Sequence, residues 1–324
     1  MKKIKEIKEK ILVIVGPTAV GKSEVAIELA KKLNGKIISA DSMQVYKGMN
    51  IGTAKLNVDE RQGIRHHLID IVEPSDDFSV ARYQKLARVA VSKVTGRKKL
   101  PILVGGSGLY IRAVTDDLKF PEGKLRSNIR QELEKRAKNN PEFLYDELKK
   151  NDPKAAEDIH PNNVRRVIRA LEVIKLTGKT FTEYRQEWEN RKTIYEANFF
   201  GLNLSREKLY VKIDERVDEM FENGFLNEVK KLTLMGKLSS ITARQALGYK
   251  EVLSYTEGQI TLDETKRLIK QRTRNFAKRQ LTWFKRDKRI KWIDVEGKEL
   301  PYIADEIINN LDLTWEKEGK CPNF

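Results

Sequence analysis

The chain has 324 residues, of which 40% are hydrophobic and 34% charged, and these values describe a soluble protein with one large domain or two. The formal net charge of +16 predicts a polyanionic partner, either nucleic acid or an anionic membrane. No stretch approaches the length of a membrane span, and the apolar run after the basic start is too short for a secretory signal. The single cysteine, Cys321, excludes an internal disulfide and a cysteine-based zinc site, so we expect a cytoplasmic protein without zinc.

The first predicted strand, Ile11–Val15, leads into a glycine-rich loop. The spacing G-x-x-x-x-G-K-[ST] of a phosphate-binding loop is occupied by Gly16, Gly21, Lys22 and Ser23. In such a loop several backbone N–H groups converge on one anion, and the following helix adds the positive end of its dipole. Lys22 contributes a cation and Ser23 a hydroxyl that can bind Mg²⁺. A chance match is the alternative, but the amphipathic segment Ser23–Leu33 favours a di- or triphosphate site.

A second strand is predicted over Lys36–Ala40, after Gly35 as the C′ residue of the first helix, and it ends at Asp41. In open parallel sheets the functional groups lie just past the carboxyl ends of strands, so we expect Asp41 beside the phosphate loop. The alternative role is that of a turn residue or helix N-cap, which is common for aspartate. The stretch Met43–Leu56 has glycines and no clean periodicity, and we interpret it as an irregular lid or substrate loop.

Two adjacent histidines, His66 and His67, precede a predicted strand over Leu68–Val72. Neighbouring side chains of a strand point to opposite faces, so this pair is poorly placed to share a metal ion. Structural or hydrogen-bonding roles are therefore favoured for both histidines. The next helix is predicted over Val80–Val94. Its N-cap candidates are Asp76, Asp77 and Ser79.

A third buried strand, predicted over Leu100–Val104, ends in the sequence Gly105-Gly106-Ser107-Gly108, and a helix follows from Leu109. In an ordinary P-loop ATPase the corresponding strand ends in an acid that holds Mg²⁺, so the glycine here argues against a motor of that kind. Ser107 is expected at the same sheet edge as Asp41, the alternative being a serine that caps a glycine turn.

The composition changes after Leu118, and the region up to about Lys192 has no predicted strand. Breaks between its polar helical stretches contain Pro121, Pro141, Pro153 and Pro161. We therefore predict an inserted all-helical domain at 119–194, between core segments 1–118 and 195–324. Its best-defined helix is predicted over Asn162–Thr177. The side of this helix opposite its apolar residues carries Arg165, Arg166 and Arg169. Two interpretations stay open for these arginines: a solvated basic face, or contacts to phosphates.

The last part of the chain returns to strand character at Ala197–Leu204 and ends in a basic helical region. Helices are predicted over Arg206–Glu222, Leu226–Leu234, Thr242–Tyr255 and Lys266–Lys285, and a final strand over Ile290–Val295. Between Lys266 and Lys291 there are twelve basic residues and one acid, which favours nucleic acid as the partner. The aromatic residues of the basic helix can serve as core or as base-stacking platforms, with core favoured; they are Phe276, Trp283 and Phe284.

Together these elements predict an α/β fold, a P-loop-containing parallel sheet flanked by helices with an inserted all-helical subdomain. Three kinds of chemistry agree with it. The first is a small-molecule phosphotransferase in which Asp41 activates a hydroxyl, and the second is a nucleic-acid-dependent NTPase. The third is a transferase in which the loop holds a diphosphate leaving group and a nucleic acid supplies the nucleophile. The missing strand-end acid argues against the NTPase. The small-molecule phosphotransferase would not need the basic helix.

The sequence resembles the tRNA dimethylallyltransferase (tRNA isopentenyltransferase) family along nearly its whole length. The motifs that carry the resemblance are GPTAVGKS at Gly16–Ser23, ISADSMQVYKGMNIGTAK at Ile38–Lys55, HHLID at His66–Asp70, ILVGGSGLY at Ile102–Tyr110, HPNNVRRVIRALEV at His160–Val173 and TRNFAKRQLTWF at Thr273–Phe284. Together these motifs are far more specific than the phosphate loop alone.

The resemblance implies transfer of a dimethylallyl group from dimethylallyl diphosphate to N6 of adenine 37 in tRNA, with Mg²⁺ as cofactor. The implied partner is therefore the tRNA anticodon stem-loop, and we expect a monomer. The zinc-finger extension of eukaryotic relatives is missing, which indicates the bacterial form. Two alternatives stay open: a P-loop small-molecule or nucleoside kinase, and an adenylate isopentenyltransferase that acts on free adenine nucleotides.

By the same resemblance Asp41 is the general base. The implied diphosphate-binding residues are Gly16, Pro17, Thr18, Ala19, Val20, Gly21, Lys22 and Ser23, with Ser23 also the candidate Mg²⁺ ligand. The implied tRNA-contacting residues are Asp41, Ser42, Met43, Gln44, Ser107, Arg126, Arg165, Arg166 and Arg169, with Arg126 at the tRNA-facing entrance. Many relatives have a Pro-Gln pair where this chain has Val164-Arg165, so Arg166 and Arg169 are carried over more firmly than Arg165.

Overall fold

The structure, a computed structural model, describes residues 8–120, 128–189 and 192–312. It divides into two compact units, one running up to Thr115 and resuming at Ile194, the other spanning Asp116–Thr193. The sequence analysis places the two boundaries at 118/119 and 194/195. Arg126 lies outside the described residues.

A six-stranded parallel sheet forms the centre of the first unit. The strands are β1 Lys10–Val15, β2 Gly35–Ser39, β3 His66–His67, β4 Leu100–Gly105, β5 Glu196–Asn203 and β6 Ile290–Asp294. Their order is β3-β2-β4-β1-β5-β6, which puts β1 and its loop between β4 and β5. The apolar runs of β1 and β4 are buried on both faces, as expected for inner strands of a parallel sheet.

Helices cover both faces of this sheet. In chain order the helices of the described residues are α1 Lys22–Lys32, α2 Val80–Thr95, α3 Gly108–Thr115, α4 Asn128–Asn139, α5 Pro141–Asn151, α6 Pro153–Asp158, α7 Val164–Thr177, α8 Phe181–Glu189, α9 Arg206–Glu222, α10 Phe225–Leu234, α11 Ile241–Arg244, α12 Tyr249–Thr256, α13 Leu262–Phe284 and α14 Leu300–Asn309. Alternate residues of β1 enter opposite cores: Val13 packs in the cluster beneath α2 and α3, and Ile14 in the cluster beneath α1 and α14. The α/β fold predicted from the sequence is confirmed.

The second unit, which contains α4 to α8, has its own apolar core built around Leu133, Leu148 and Leu171. Two of the proline breaks are helix starts: Pro141 and Pro153 occupy the first turn of α5 and α6, where their missing N–H groups are not needed. The N-cap side chains that accept backbone N–H groups at the starts of α5, α6 and α7 are Asn140, Asp152 and Asn163.

The strand predicted over Leu68–Val72 is wrong. Leu68 and Asp70 have φ angles of 65° and 56°, in the left-handed region, so the backbone cannot stay extended there. The strand at this edge is instead the preceding His66–His67, which pairs with β2, and Val72 forms only a single bridge to Tyr46. An apolar run alone does not reveal such a kink.

Three further boundaries differ from the prediction. Gly35 is not the C′ residue of α1, because Asn34 takes the left-handed conformation (φ 48°) and Gly35 already belongs to β2. The helix predicted over Thr242–Tyr255 is two helices, α11 and α12, separated by residues 245–248, of which Gly248 has φ 90°. The basic helix begins at Leu262 rather than Lys266, and Thr261 caps it by accepting from Glu264 N–H. The helix α14 has no counterpart in the sequence analysis.

None of the helices in the described part of the chain is long and apolar enough to span a lipid bilayer.

Candidate active site

The carboxyl ends of β1, β2 and β4 open into a cleft of about 890 Å³ in the first unit. Five residues of the glycine-rich loop line it, namely Thr18, Ala19, Gly21, Lys22 and Ser23. Asp41 and Gln44 line it after β2, and Gly105 and Gly106 after β4. The structure thus brings the predicted phosphate loop and Asp41 together at one sheet edge. The other three predicted loop residues, Gly16, Pro17 and Val20, are buried behind the cleft wall.

The glycine-rich loop wraps tightly before α1 begins. Gly21 is the N-cap of α1 with φ 95°, a conformation that favours glycine. Lys22, the first helical residue, turns its Nζ back to donate to the carbonyl of Pro17 at 2.6 Å. Because α1 starts at the cleft, its unpaired N–H groups and positive dipole end face the same space as the Lys22 ammonium. This is the arrangement of an anion-binding loop.

Two cations lie close together in the cleft. Burial and the neighbouring Arg216 together lower the pKa of Lys22 to about 8, while Asp41 and Glu24 oppose the shift. Burial likewise lowers the pKa of Arg216, which is on α9 and donates from Nη1 to Thr18 Oγ1 at 3.2 Å. Two desolvated like charges are unfavourable unless an anion joins them, so the pair favours an anion as the ligand of this cleft.

Arg216 was missed by the sequence analysis, which assigned its helix no role. The available signal was its spacing: it lies three residues after Ile213 and directly before Val217, both buried. An arginine on the inward side of an amphipathic helix needs a partner, and here that partner is the phosphate loop.

Asp41 is both a turn residue and a cleft residue. Its Oδ1 accepts from the backbone N–H groups of Met43 at 2.8 Å and Gln44 at 3.3 Å. The two alternatives of the sequence analysis are therefore compatible, because the turn fixes the carboxylate at the mouth of the strand.

A second cavity of about 310 Å³ adjoins the cleft and is mainly apolar. Its apolar lining includes Met43, Val217, Leu247 and Ile269. Of the predicted tRNA-contacting residues it collects Asp41, Ser42, Met43 and Ser107, and Ser107 Oγ accepts from Ser42 N–H at 3.4 Å. The residues that line both spaces, and so form their junction, are Thr18, Asp41, Thr53, Ala54, Arg216, Met220 and Phe276. A polar, cationic space joined to an apolar one suits a ligand with an anionic head and an apolar tail.

The predicted lid loop, Met43–Leu56, is an ordered series of turns held by two charged side chains. Glu228 on α10 accepts from the N–H groups of Asn50 and Ile51 at 2.9 and 2.8 Å, and from that of Gly52 at 3.3 Å. Its Oε1 also accepts from the Tyr249 hydroxyl at 2.6 Å. Lys55, whose pKa is lowered by burial, donates to Asp70 Oδ1 at 2.6 Å and to the carbonyl of Tyr46 at 2.7 Å. The sequence analysis gave neither Glu228 nor Lys55 a role.

The basic helix α13 packs against the turn that follows β4. Its aromatic residues divide: Phe284 is core, while Phe276 and Trp283 are 37% and 44% exposed. Core was favoured for all three, so that prediction is wrong for the latter two. On the outer side of the helix, Trp283 lines an open groove with Asn275, Lys278, Arg279, Thr282 and Arg286.

The predicted arginines of the second unit differ in their surroundings. Arg165 and Arg166 are exposed on α7. Arg169 is half-buried and pairs at 2.8 Å with Glu172, a carboxylate whose side chain is 4% exposed and which also meets Arg130 at 3.3 Å. Arg169 therefore balances a buried charge within its own unit.

The two adjacent histidines have structural surroundings. His66 Nδ1 lies 2.8 Å from the carbonyl of Ile64, and burial lowers the pKa of both His66 and His67. Within the described residues there is no group of three or more histidine, cysteine, aspartate and glutamate side chains placed to hold a metal ion.

Comparison with known proteins places this chain in a family. A family model described as IPP transferase matches residues 44–287. The chain belongs to the IPP transferase family. The tRNA dimethylallyltransferase of Carboxydothermus hydrogenoformans is 52% identical over 301 residues, covering 93% of this chain and 96% of that relative. The tRNA dimethylallyltransferase of Anoxybacillus flavithermus is 50% identical over 287 residues, covering 89% of this chain and 91% of that relative.

Solved IPP transferase structures share the fold. The full-length tRNA isopentenylpyrophosphate transferase of Bacillus halodurans superposes with a TM-score of 0.70 and 45% identity, covering 93% of this chain and 95% of that one. A eukaryotic dimethylallyltransferase acting on tRNA superposes with a TM-score of 0.74 and 33% identity, covering 89% and 74%. The family resemblance stated from the motifs is confirmed.

Proposed function

We propose that this protein transfers the dimethylallyl group of dimethylallyl diphosphate to N6 of adenine 37 in tRNA. The junction of the cationic cleft and the apolar cavity carries the proposal, since it has room for a diphosphate on one side and an allyl chain with an adenine on the other. Relatives at about half identity bear the name tRNA dimethylallyltransferase, which supports the same reaction.

The diphosphate is bound by the glycine-rich loop, Lys22 and Arg216. Breaking the C1–O bond of the donor leaves positive charge on an allylic carbon and negative charge on the departing diphosphate. Cations and backbone N–H groups that stabilise this negative charge act most strongly in the transition state, so they raise the rate as well as the affinity.

The residues at the loop fit the Mg²⁺ ion that the family implies. The Ser23 hydroxyl offers an oxygen ligand in the cleft, and in such loops a serine hydroxyl binds Mg²⁺ together with substrate phosphates and water. When bound, Mg²⁺ would neutralise charge on the diphosphate.

The acceptor amine needs a base. The lone pair of adenine N6 is delocalised into the ring, so the amine is a poor nucleophile. As the N6–C1 bond forms and the C1–O bond breaks, the bonding pair leaves with the diphosphate and one N6 proton moves to Asp41. The two hydrogen bonds to Asp41 Oδ1 hold the carboxylate in place for this step.

The tRNA reaches the site by extruding its target base. An adenine inside the anticodon stack cannot enter a cavity bounded by Met43, Ser107 and Phe276, so it is flipped out. The phosphates of the stem-loop are bound by the exposed basic side of α13 and by the helical unit, through Arg126, Arg165, Arg166 and Arg169. We place the enzyme in the cytoplasm, where both of its proposed substrates are soluble. We expect it to act as a monomer.

The test is incubation of the protein with dimethylallyl diphosphate, Mg²⁺ and an unmodified anticodon stem-loop, followed by nucleoside mass spectrometry. A dimethylallyl adduct on the adenine at position 37 is expected. Matched reactions contain ATP in place of the allyl donor, with phosphate release measured, or AMP in place of the RNA. Phosphate transfer from ATP, or an adduct on AMP alone, would replace the proposal with the kinase or the adenylate transferase.

A further inference from the structure

A single glutamine of α13 bridges the two loops that form the back of the cleft. Gln280 is 6% exposed, and its Oε1 accepts from the Thr18 N–H of the glycine-rich loop at 2.8 Å. Its Nε2 donates to the carbonyl of Gly106 at 2.9 Å. One neighbour is a donor and the other an acceptor, so the amide has one orientation that satisfies both. The glycine-rich loop and the turn after β4 are thereby fixed to the same helix.

The turn after β4 leaves no room between itself and α13. A Cβ atom at Gly106 would overlap Gln280 Nε2, and one at Gly108 would overlap the indole of Trp283. The two glycines therefore let the helix rest directly on the turn. A shift of α13 must move Gln280 or the turn with it, because there is no gap to absorb the motion.

Thr18 is held from two helices at once. Gln280 of α13 binds its backbone N–H, and Arg216 of α9 binds its hydroxyl at 3.2 Å. The ion pairs Lys270–Asp218 and Arg274–Asp214 join these two helices. Thr18 lies at the junction of the two cavities, so its position affects the space for the diphosphate and for the allyl chain.

The opposite side of α13 is a basic surface. Lys278 and Arg279 directly precede Gln280 and are exposed, and both line the open groove with Trp283 and Arg286. Arg279 lies at the edge of this surface, because it also lines the apolar cavity. A polyanion bound in this groove holds the same helical turn that carries Gln280. Inner and outer ligands thus contact one rigid element from its two sides.

We propose that Gln280 is a positioning residue that couples RNA binding on the outer side of α13 to diphosphate binding at the glycine-rich loop. We expect the coupling to be positive, so that each ligand raises the affinity of the protein for the other, and linkage requires the factor to be the same in both directions. The identity of the two ligands rests on the proposed function, but the coupling is a separate property. We expect a factor of at least about fivefold, the lower end for coupled sites.

The experiment measures pyrophosphate binding to the full-length protein by calorimetry, with Mg²⁺, in the absence and presence of saturating anticodon stem-loop RNA. For the wild type the ratio of the two dissociation constants should be at least about fivefold. For Gln280→Met, which keeps the side-chain volume and removes both hydrogen bonds, the ratio should fall to about one. The matched control is Gln271→Met, an exposed glutamine of the same helix, which should keep the wild-type ratio.

A second variant approaches the bridge from the other side. Gly106→Ala leaves the glutamine in the sequence but displaces its amide, so it should abolish the coupling as well. Thermal melting verifies that each variant is folded. Coupling retained in folded Gln280→Met or Gly106→Ala, or its absence from the wild type, would overturn the inference. Prenyl transfer without coupling counts against the inference alone, and coupling without prenyl transfer counts against the proposed reaction alone.

Discussion

At the scale of single residues, Asp41 combines a role in a turn with a position at the junction of the two cavities. Two backbone N–H groups bind its Oδ1, and the side chain lines both cavities. A carboxylate that is fixed by backbone groups loses little conformational freedom when a substrate arrives, which is what a base acting on a weak nucleophile needs.

We predict that Asp41→Asn keeps the turn and loses the reaction. The amide oxygen can still accept from Met43 and Gln44, but the group cannot take a proton. Prenyl transfer in single-turnover assays should fall by at least about 10²-fold, while the RNA dissociation constant changes less than about twofold. Asp305→Asn, at an exposed ion pair with Lys32, is the matched control. An unchanged transfer rate would remove Asp41 from its proposed role.

Lys22 gives the site a pH dependence. With its pKa lowered to about 8, the side chain of the free protein is a cation below that pH and becomes neutral above it. The advantage of wild type over Lys22→Ala in pyrophosphate affinity should therefore be full near pH 7 and should disappear as the pH rises through about 8 to 9.5. Comparing the two proteins at each pH cancels the titration of pyrophosphate itself. RNA binding should survive in Lys22→Ala, and a ratio that is constant with pH would contradict this account.

The residues of the site were predictable only where they belong to a local sequence pattern. The glycine-rich loop and Asp41 follow strands in a recognisable pattern, so both were located. Gln280 and Arg216 meet Thr18 across 262 and 198 residues of chain, and Glu228 meets Asn50 across 178. Such contacts come from helix packing, which no local spacing encodes.

At the scale of elements, the lid loop depends on α10. Four donors converge on the two carboxylate oxygens of Glu228, three of them backbone N–H groups of the loop. We predict that Glu228→Gln lowers the free energy of unfolding by about 1–3 kcal/mol, because its NH₂ must face donors whichever way the amide turns. Urea denaturation measures this change in unfolding free energy. The substitution should also weaken binding of the allyl donor.

The control for this variant is Glu222→Gln, an exposed glutamate at the end of α9. It should alter the unfolding free energy by less than about 0.5 kcal/mol. Equal stability of Glu228→Gln and wild type would show that the carboxylate does not support the loop.

Buried apolar runs predicted β1, β2, β4, β5 and β6 closely, and the amphipathic pattern predicted Arg206–Glu222 to the residue. Three of the failures share one feature, namely the strand expected over Leu68–Val72, the role of Gly35 and the helix expected over Thr242–Tyr255. Leu68, Asp70, Asn34 and Gly248 adopt positive φ angles, and three of these four are not glycine. A pattern of hydrophobicity reports burial but not such local turns of the backbone.

At the scale of the whole molecule, the charge of +16 makes RNA binding dependent on salt. With about six phosphate contacts, the affinity for the anticodon stem-loop should fall by about 10³-fold between about 50 and 200 mM salt. Lys278→Ala and Arg286→Ala should each reduce the slope of the logarithmic plot by about one, whereas Lys31→Ala on α1 should not. A flat salt response would favour the small-molecule kinase.

The hydrogen bond from Ile194 N–H to the carbonyl of Thr115, at 2.9 Å, brings the two cut ends of the sheet-containing unit side by side. The backbone of that unit is thus joined by a hydrogen bond at the two residues between which the helical segment is inserted. An insertion point of this kind tolerates a different domain whose own termini lie close together, as in natural domain insertions. Grafting a different RNA reader there offers a route to redirect prenylation toward other transcripts without rebuilding the chemistry.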